Sequence, residues 1–208
     1  MTAAHVRSTP DRSHLSYVIR RAIQLGVFEA GIVLLFSLSS RWLEGPIELV
    51  FRSVVVAVGI AGVSLLPGIW TRARTIEGIA GAAGIGLAAA FVFLLIDVSV
   101  LQPLGTYTNR WLEIGGGSNW WYHPVWWMVG TFLPWMGAFA LAKQTAKSGA
   151  PAPAGVFGMA LILTVALGVS AVILGFPGAS FGLGTFAVAY LPASALTVLV
   201  TGRGGSRP

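Results

Sequence analysis

The sequence predicts an all-α fold, a polytopic integral membrane protein with six transmembrane helices, both termini cytoplasmic and one longer outward-facing loop between helices 3 and 4. Hydrophobic residues make up 55% of the 208 residues, and charged residues make up 10%. That charged fraction is less than half of the roughly 25% usual in a soluble domain. Each helical crossing needs roughly 20 apolar residues, so the chain has room for six crossings. We expect a single transmembrane domain over residues 1–208.

Six apolar runs mark the expected spans. They cover about 22–38, 48–70, 77–101, 120–142, 155–175 and 181–201, with a polar cytoplasmic tail at 1–19 and the outward loop at 102–119. Pro67 and Gly68 are expected to close the second span near Arg72 and Arg74. Pro134 and Pro192 lie inside the fourth and sixth spans, where the loss of a backbone hydrogen bond is expected to kink the helix.

The distribution of basic residues predicts the orientation, because cytoplasmic ends of spans carry the excess of Lys and Arg. Ten of the 13 fall on one side, and only three fall on the other. The ten are Arg7, Arg12, Arg20, Arg21, Arg72, Arg74, Lys143, Lys147, Arg203 and Arg207, and the three are Arg41, Arg52 and Arg110. This asymmetry predicts a multi-pass protein of the plasma (cytoplasmic) membrane.

Composition also excludes several classes of site. The formal net charge is +6, but the basic residues sit at the ends of apolar runs and form no continuous stripe, so no nucleic acid is expected as a partner. The chain has no Cys, which excludes disulfides and thiolate metal sites. His123 is the sole histidine outside the tail, so a haem held by two imidazoles is not expected either. We expect no cofactor and no metal.

The third span carries small residues at every fourth position, namely Gly78, Ala82, Gly86 and Ala90. This spacing places all four on one helical stripe, where another backbone can approach closely. Two interpretations are open: ordinary packing within the bundle, and a seam between two copies of the chain.

Asp97 and Arg52 are expected at a similar depth, roughly 6 Å inside the outer boundary at ~1.5 Å of rise per residue. Since ionised groups in hydrocarbon need a partner, we predict an ion pair between the second and third spans. Glu48, one turn from Arg52, is a second acceptor. The alternative is that Arg52 extends to the interface while Asp97 caps the loop.

Glu29 falls near the middle of the first span, and no basic residue of another span reaches that depth. It must be protonated, hydrated or hydrogen bonded to a polar side chain. Candidate partners are Gln24, Ser64, Thr131, Thr164 and Ser170. A buried carboxyl of this kind serves proton-coupled carriers, and the alternative is a neutral acid bonded between helices.

The outward loop is rich in aromatic and polar side chains. Six of the eight tryptophans lie between Trp111 and Trp135. The candidate contacts for a ligand or partner are Tyr107, Asn109, Arg110, Trp111, Glu113, Asn119, Trp120, Trp121, Tyr122 and His123. Such rings can stack on a lipid headgroup, a quinone or a sugar, although Trp and Tyr gather at any membrane interface.

Three functions remain open. The first is a non-catalytic subunit or partner-binding component of a larger membrane assembly, with the segment 102–124 as its recognition surface and other membrane subunits or a second copy as partners. The second is a small proton-coupled transporter or channel that uses Glu29, with Asp97 and Arg52 as an outer gate. The third is an enzyme acting on a lipid-linked substrate through Glu113 and His123, for which no nucleophile is evident.

Overall fold

The computed structural model describes residues 12–107 and 122–202, and all regular secondary structure in those ranges is helical. The helices are α1 (Leu15–Trp42), α2 (Gly45–Thr71), α3 (Ile76–Ile96), α4 (Tyr122–Ser148), α5 (Pro153–Ile173) and α6 (Leu183–Gly202). A π-helical turn, Asp97–Leu101, continues α3. The described residues thus contain six helices that are long and apolar enough to cross a membrane. The prediction of an all-helical, six-helix membrane protein is confirmed.

The first helix begins earlier than the sequence predicts. Residues 15–19 were assigned to the polar tail, but α1 starts at Leu15. Two contacts explain the difference. The Tyr17 hydroxyl donates a hydrogen bond of 2.9 Å to the Trp70 carbonyl, and the Arg21 guanidinium lies 5.1 Å from the Tyr17 ring and 5.0 Å from the Trp70 ring. The first turn of α1 is therefore packed against the last turn of α2, and the prediction of a tail to residue 19 is wrong.

The second span ends close to the predicted boundary, because α2 ends at Thr71 and Pro67 and Gly68 lie within its last two turns. The Thr71 hydroxyl donates a hydrogen bond of 3.0 Å to the Pro67 carbonyl. Arg72 follows as the C-cap, and its φ of 52° is left-handed. Pro134 and Pro192 likewise lie inside α4 and α6.

Four helices form the centre of the bundle. α3 packs against α1 and α4, and α2 packs against α4, α1 and α3. The last two helices form a hairpin that joins the centre mainly through α6 against α4, while α5 has few contacts with α4 and α2. Any site built from α1, α2 and α4 therefore lies within the four-helix centre.

Small residues allow α4 to approach its neighbours closely. A Cβ built on Gly137 would overlap the Ser64 carbonyl oxygen of α2, and one built on Gly86 would overlap the Gly130 carbonyl oxygen. The four small residues of the third span, Gly78, Ala82, Gly86 and Ala90, are all buried within the chain. Of these, Gly86 and Ala90 face Gly130 of α4.

Candidate functional site

A cavity of about 260 Å³ lies between α1, α2 and α4. Of the described residues in its wall, Glu29 alone is ionisable, and the others are apolar or aromatic. They are Phe28, Ile32, Val33, Phe36, Val56, Gly59, Ile60, Val63, Trp126, Val129, Gly130 and Leu133. On α1, Glu29, Val33 and Phe36 are spaced by four and three residues, which places them on one helical face. The cavity therefore follows that face of α1.

Two glycines of α2 set the distance between α1 and α2 beside the cavity. A Cβ on Gly59 would lie 2.8 Å from the Ile32 Cγ2 atom, and one on Gly62 would overlap the Phe28 ring. Large side chains of α1 thus pack directly on the backbone of α2. This match of bulky residues to glycines fixes α1 against α2 at the level of Glu29.

Glu29 is buried, with 3% of the residue exposed. Its Oε2 atom is buried and has no hydrogen-bond partner in the described parts of the chain. The polar side chains that the sequence suggested as partners do not reach it. Gln24 accepts from Arg21, Ser64 accepts from Tyr190, Thr131 and Thr164 donate to carbonyls of their own helices, and Ser170 is exposed.

A second polar group lies at the end of the bundle where α1 ends and α2 begins, and we call it the Asp97 cluster. Its members link α1, α2 and the segment after α3. The Ser37 hydroxyl donates to the Thr106 carbonyl at 2.9 Å, and Arg41 donates to the carbonyls of Gly105 and Thr106. The cluster comprises Ser37, Ser39, Arg41, Glu48, Arg52, Asp97, Gln102, Thr106 and Tyr107. It ties residues 102–107 to the last turns of α1.

The predicted ion pair between Arg52 and Asp97 is not formed. The Arg52 Nη1 atom lies 3.0 Å from Glu48 Oε1, and the Arg52 Nε atom donates to Ser39 Oγ at 3.3 Å. Glu48 lies one turn before Arg52 on the same helix, so the pair needs no particular rotation of another helix. The guanidinium also lies 4.9 Å from the centre of the Phe36 ring. Phe36 therefore contacts Arg52 and also lines the Glu29 cavity.

Asp97 is fully buried, at the start of the π-helical turn. Its Oδ2 atom accepts a hydrogen bond of 2.6 Å from Gln102 Nε2, and its Oδ1 atom accepts one from the Tyr107 hydroxyl. The contacts agree with one part of the alternative interpretation, in which Asp97 caps the loop after the third span. The other part, in which Arg52 extends to the interface, does not agree, because Arg52 is buried against Glu48 and Ser39. Tyr107 is thus the one predicted loop residue whose side-chain contacts the structure describes.

Replacing Asp97 by alanine is expected to lower the free energy of unfolding by about 2 kcal/mol, because two hydrogen bonds to a buried carboxylate are lost. At roughly 2–4 °C per kcal/mol for a chain of this size, the melting temperature in detergent should fall by roughly 4–8 °C. The matched control is Ser99→Ala, on an exposed position of the same turn. Equal melting temperatures for the two variants would contradict this role of Asp97.

The other predicted loop residues, Asn109, Arg110, Trp111, Glu113, Asn119, Trp120 and Trp121, lie outside the described residues. The side chains of Tyr122 and His123 do as well, although α4 includes both positions. The predicted recognition surface and the Glu113/His123 pair therefore stay predictions.

Three residues of the site were not anticipated in these roles. Trp126 was counted only among the six tryptophans between Trp111 and Trp135, but it lines the Glu29 cavity, and its ring lies 4.3 Å from that of Phe93. Phe36 was not singled out, although its position seven residues after Glu29 places both on one face of α1. Arg41 was used only for orientation, while its place in the last turn of α1 is a common position for binding nearby carbonyls.

Fold and site together define a multi-pass membrane protein with an acidic group in a cavity of its helical bundle. Within residues 12–107 and 122–202, no group of three or more His, Asp or Glu side chains could hold a metal ion. No protein-family model matches the sequence, and no curated protein or solved structure is significantly similar to it.

Proposed function

We propose that this protein is a small proton-coupled carrier, in which Glu29 binds either a proton or the substrate. The observation that carries the proposal is Glu29, a residue that is 3% exposed and whose Oε2 atom is buried without a hydrogen-bond partner in the described structure. It borders a cavity large enough for a small molecule. Structural acids of membrane helices are normally bonded to a neighbouring side chain or backbone carbonyl, and the Oε2 atom of Glu29 has no such contact among the described residues.

The energetics of a buried carboxyl explain the coupling. An ionised carboxylate in the hydrocarbon region costs a few kcal/mol on insertion scales, and more where no dipole compensates the charge. The group is therefore stable only with a bound proton or with another positive charge. If the site releases its proton when a positively charged substrate binds, the movement of the substrate is linked to the movement of a proton.

The Asp97 cluster supplies the proposed gate at one end of the cavity. Phe36 lies two turns from Glu29, about 10 Å along α1, and its ring is held by the Arg52 guanidinium. The Glu48–Arg52 pair is thus the part of the cluster adjacent to the cavity. The sequence suggested a gate formed by Arg52 and Asp97. In the proposed gate Arg52 pairs with Glu48, and Asp97 holds the segment 102–107 in place.

The proposal includes an orientation. The positive-inside rule predicts a cytoplasmic membrane with both termini in the cytosol, so the Asp97 cluster would face outward. Arg21, Arg72 and Lys143 would then lie at the cytosolic side.

The carrier is tested in proteoliposomes that enclose a pH-sensitive dye. A panel of cationic, neutral and anionic small molecules is added one at a time against a preset proton gradient. We expect at least one compound to collapse the gradient in liposomes with the wild-type chain. The Glu29→Gln variant, which cannot exchange a proton, should respond no more than protein-free liposomes do.

The matched control is Glu44→Gln, which makes the same chemical change at an exposed residue just before α2. It should respond as the wild type does. A Glu29→Gln variant that still couples the compound to protons would overturn the proposal, and so would a wild type that responds to no compound in any class.

The periphery of the bundle supports a second candidate, a subunit of a larger membrane assembly. α5 packs mainly on α6 and exposes Ile162, Val165 and Ile173. Lipid and a neighbouring helix can both cover such a face. Co-purification of another chain at fixed stoichiometry after gentle solubilisation would support this candidate, and a lone chain of uniform size would contradict it.

A further inference from the structure

The negative charge of the Glu29 carboxylate favours a positively charged ligand in the cavity. Among the described residues that line the cavity, Glu29 is the only one that can ionise. A cation placed beside the carboxylate compensates a charge that is otherwise costly in this environment, whereas an anion would add a second uncompensated charge. Among the described wall residues, the Glu29 carboxylate is also the only group that can form an ion pair with a ligand.

The walls exclude strongly polar molecules. Apart from Glu29, they are made of aliphatic side chains, glycines and three aromatic residues, Phe28, Phe36 and Trp126. Each hydrogen-bonding group that a ligand buries without a partner costs about 1–3 kcal/mol. A sugar, a nucleotide or a zwitterionic amino acid carries several such groups, so none of these fits.

Divalent metal ions are excluded because the cavity offers too few ligands. Divalent ions such as Mg²⁺ and Ca²⁺ take six or more oxygen ligands. The cavity offers one carboxyl group, and the described chain has no cluster of three potential ligand residues. An organic cation needs no such shell, because its charge is carried on an apolar body.

The aromatic side chains in the cavity wall add a favourable cation–π interaction with an organic cation. Ring faces attract ammonium and guanidinium groups within about 6 Å, and Phe36 already accepts the Arg52 guanidinium at 4.9 Å. The cavity volume of about 260 Å³ corresponds to about nine water-sized volumes at ~30 Å³ each. The ligand is therefore of about the size of one substituted aromatic ring.

We infer that the Glu29 cavity binds a lipophilic organic monocation, with one ammonium group beside Glu29 and an apolar, single-ring body against Phe28, Phe36 and Trp126. The identity of this substrate class rests on the proposed carrier function. Binding in the cavity, however, is measurable without any transport.

The test compares phenyltrimethylammonium with tert-butylbenzene, which has the same shape but a carbon in place of the charged nitrogen. A hydrophobic carbodiimide labels buried carboxyl groups of the full-length chain in nanodiscs, and after proteolysis the mass of the peptide that contains Glu29 reports the labelling of that residue. We expect phenyltrimethylammonium to slow this labelling at least tenfold. The same aqueous concentration of tert-butylbenzene should slow it less than twofold.

Calorimetry with phenyltrimethylammonium supplies the second measurement. Its affinity should fall at least tenfold in Glu29→Gln and stay unchanged in the control Glu44→Gln. Equal protection by the neutral compound, or equal affinity in Glu29→Gln, would overturn the inference. The labelling uses the wild-type chain, so it decides the question even if a variant fails to fold.

The two proposals fail differently. If only neutral or anionic compounds collapse the proton gradient and the cation does not protect Glu29, the carrier stands and the substrate class is wrong. If the cation protects Glu29 but no compound moves protons, the binding site stands and the carrier is wrong.

Discussion

Replacing Gly137 by alanine is expected to lower the free energy of unfolding by about 3 kcal/mol or more. The added Cβ would overlap the Ser64 carbonyl oxygen, which is held in the backbone of α2 and cannot rotate away. Overpacking of a close contact costs about 1–3 kcal/mol, and occasionally more. The helices α2 and α4 must therefore separate where both also line the Glu29 cavity.

Thermal unfolding in detergent measures this effect, and a drop of roughly 6–12 °C corresponds to the expected cost. The control is Gly158→Ala in α5, where an added Cβ has no neighbouring atom within 4 Å. That variant should be as stable as the wild type or slightly more so, because alanine favours a helix over glycine. A Gly137→Ala variant that melts with the control would contradict the close approach of α2 and α4.

Replacing Glu29 by leucine is expected to stabilise the protein and to abolish its proton-coupled activity. A buried carboxyl without a hydrogen-bond partner costs about 1–3 kcal/mol, and an apolar side chain of similar size removes that cost. The melting temperature should rise by roughly 2–12 °C, while the dye response in proteoliposomes should fall to the protein-free level.

The control is Glu44→Leu, at an exposed position. This variant should have nearly the same melting temperature and the same dye response as the wild type. A lower melting temperature for Glu29→Leu would show that the carboxyl stabilises the bundle. That result would favour the alternative account of Glu29, a neutral acid bonded between helices, over the carrier.

The six helices could be predicted because the length and composition of apolar runs determine which segments cross a membrane. Their ends were less predictable. The start of α1 depends on the contacts of Tyr17 and Arg21 with Trp70 of α2, which are long-range in sequence.

The site was predictable in part. The isolation of Glu29 follows from the absence of basic residues at its depth, and the structure also leaves it without a hydrogen-bond partner in the described regions. The predicted partner of Arg52, Asp97, was wrong because equal depth in the membrane does not determine how α2 and α3 are rotated. Glu48 lies on the same face of α2 as Arg52, however that helix is rotated. The cavity itself could not be predicted, because its walls depend on the relative positions of three helices.

The arrangement of the last hairpin has a consequence for biosynthesis. All the described residues that line the Glu29 cavity come from α1, α2 and α4, whereas α5 and α6 join the bundle afterwards along the chain, mainly at α4. Because the ribosome makes the chain from the N-terminus, the three helices that line the cavity can assemble while the final two helices are still being translated. The hairpin is then an addition to a finished centre, and its Tyr190 hydroxyl, bonded to Ser64 at 3.2 Å, is one of the contacts made last.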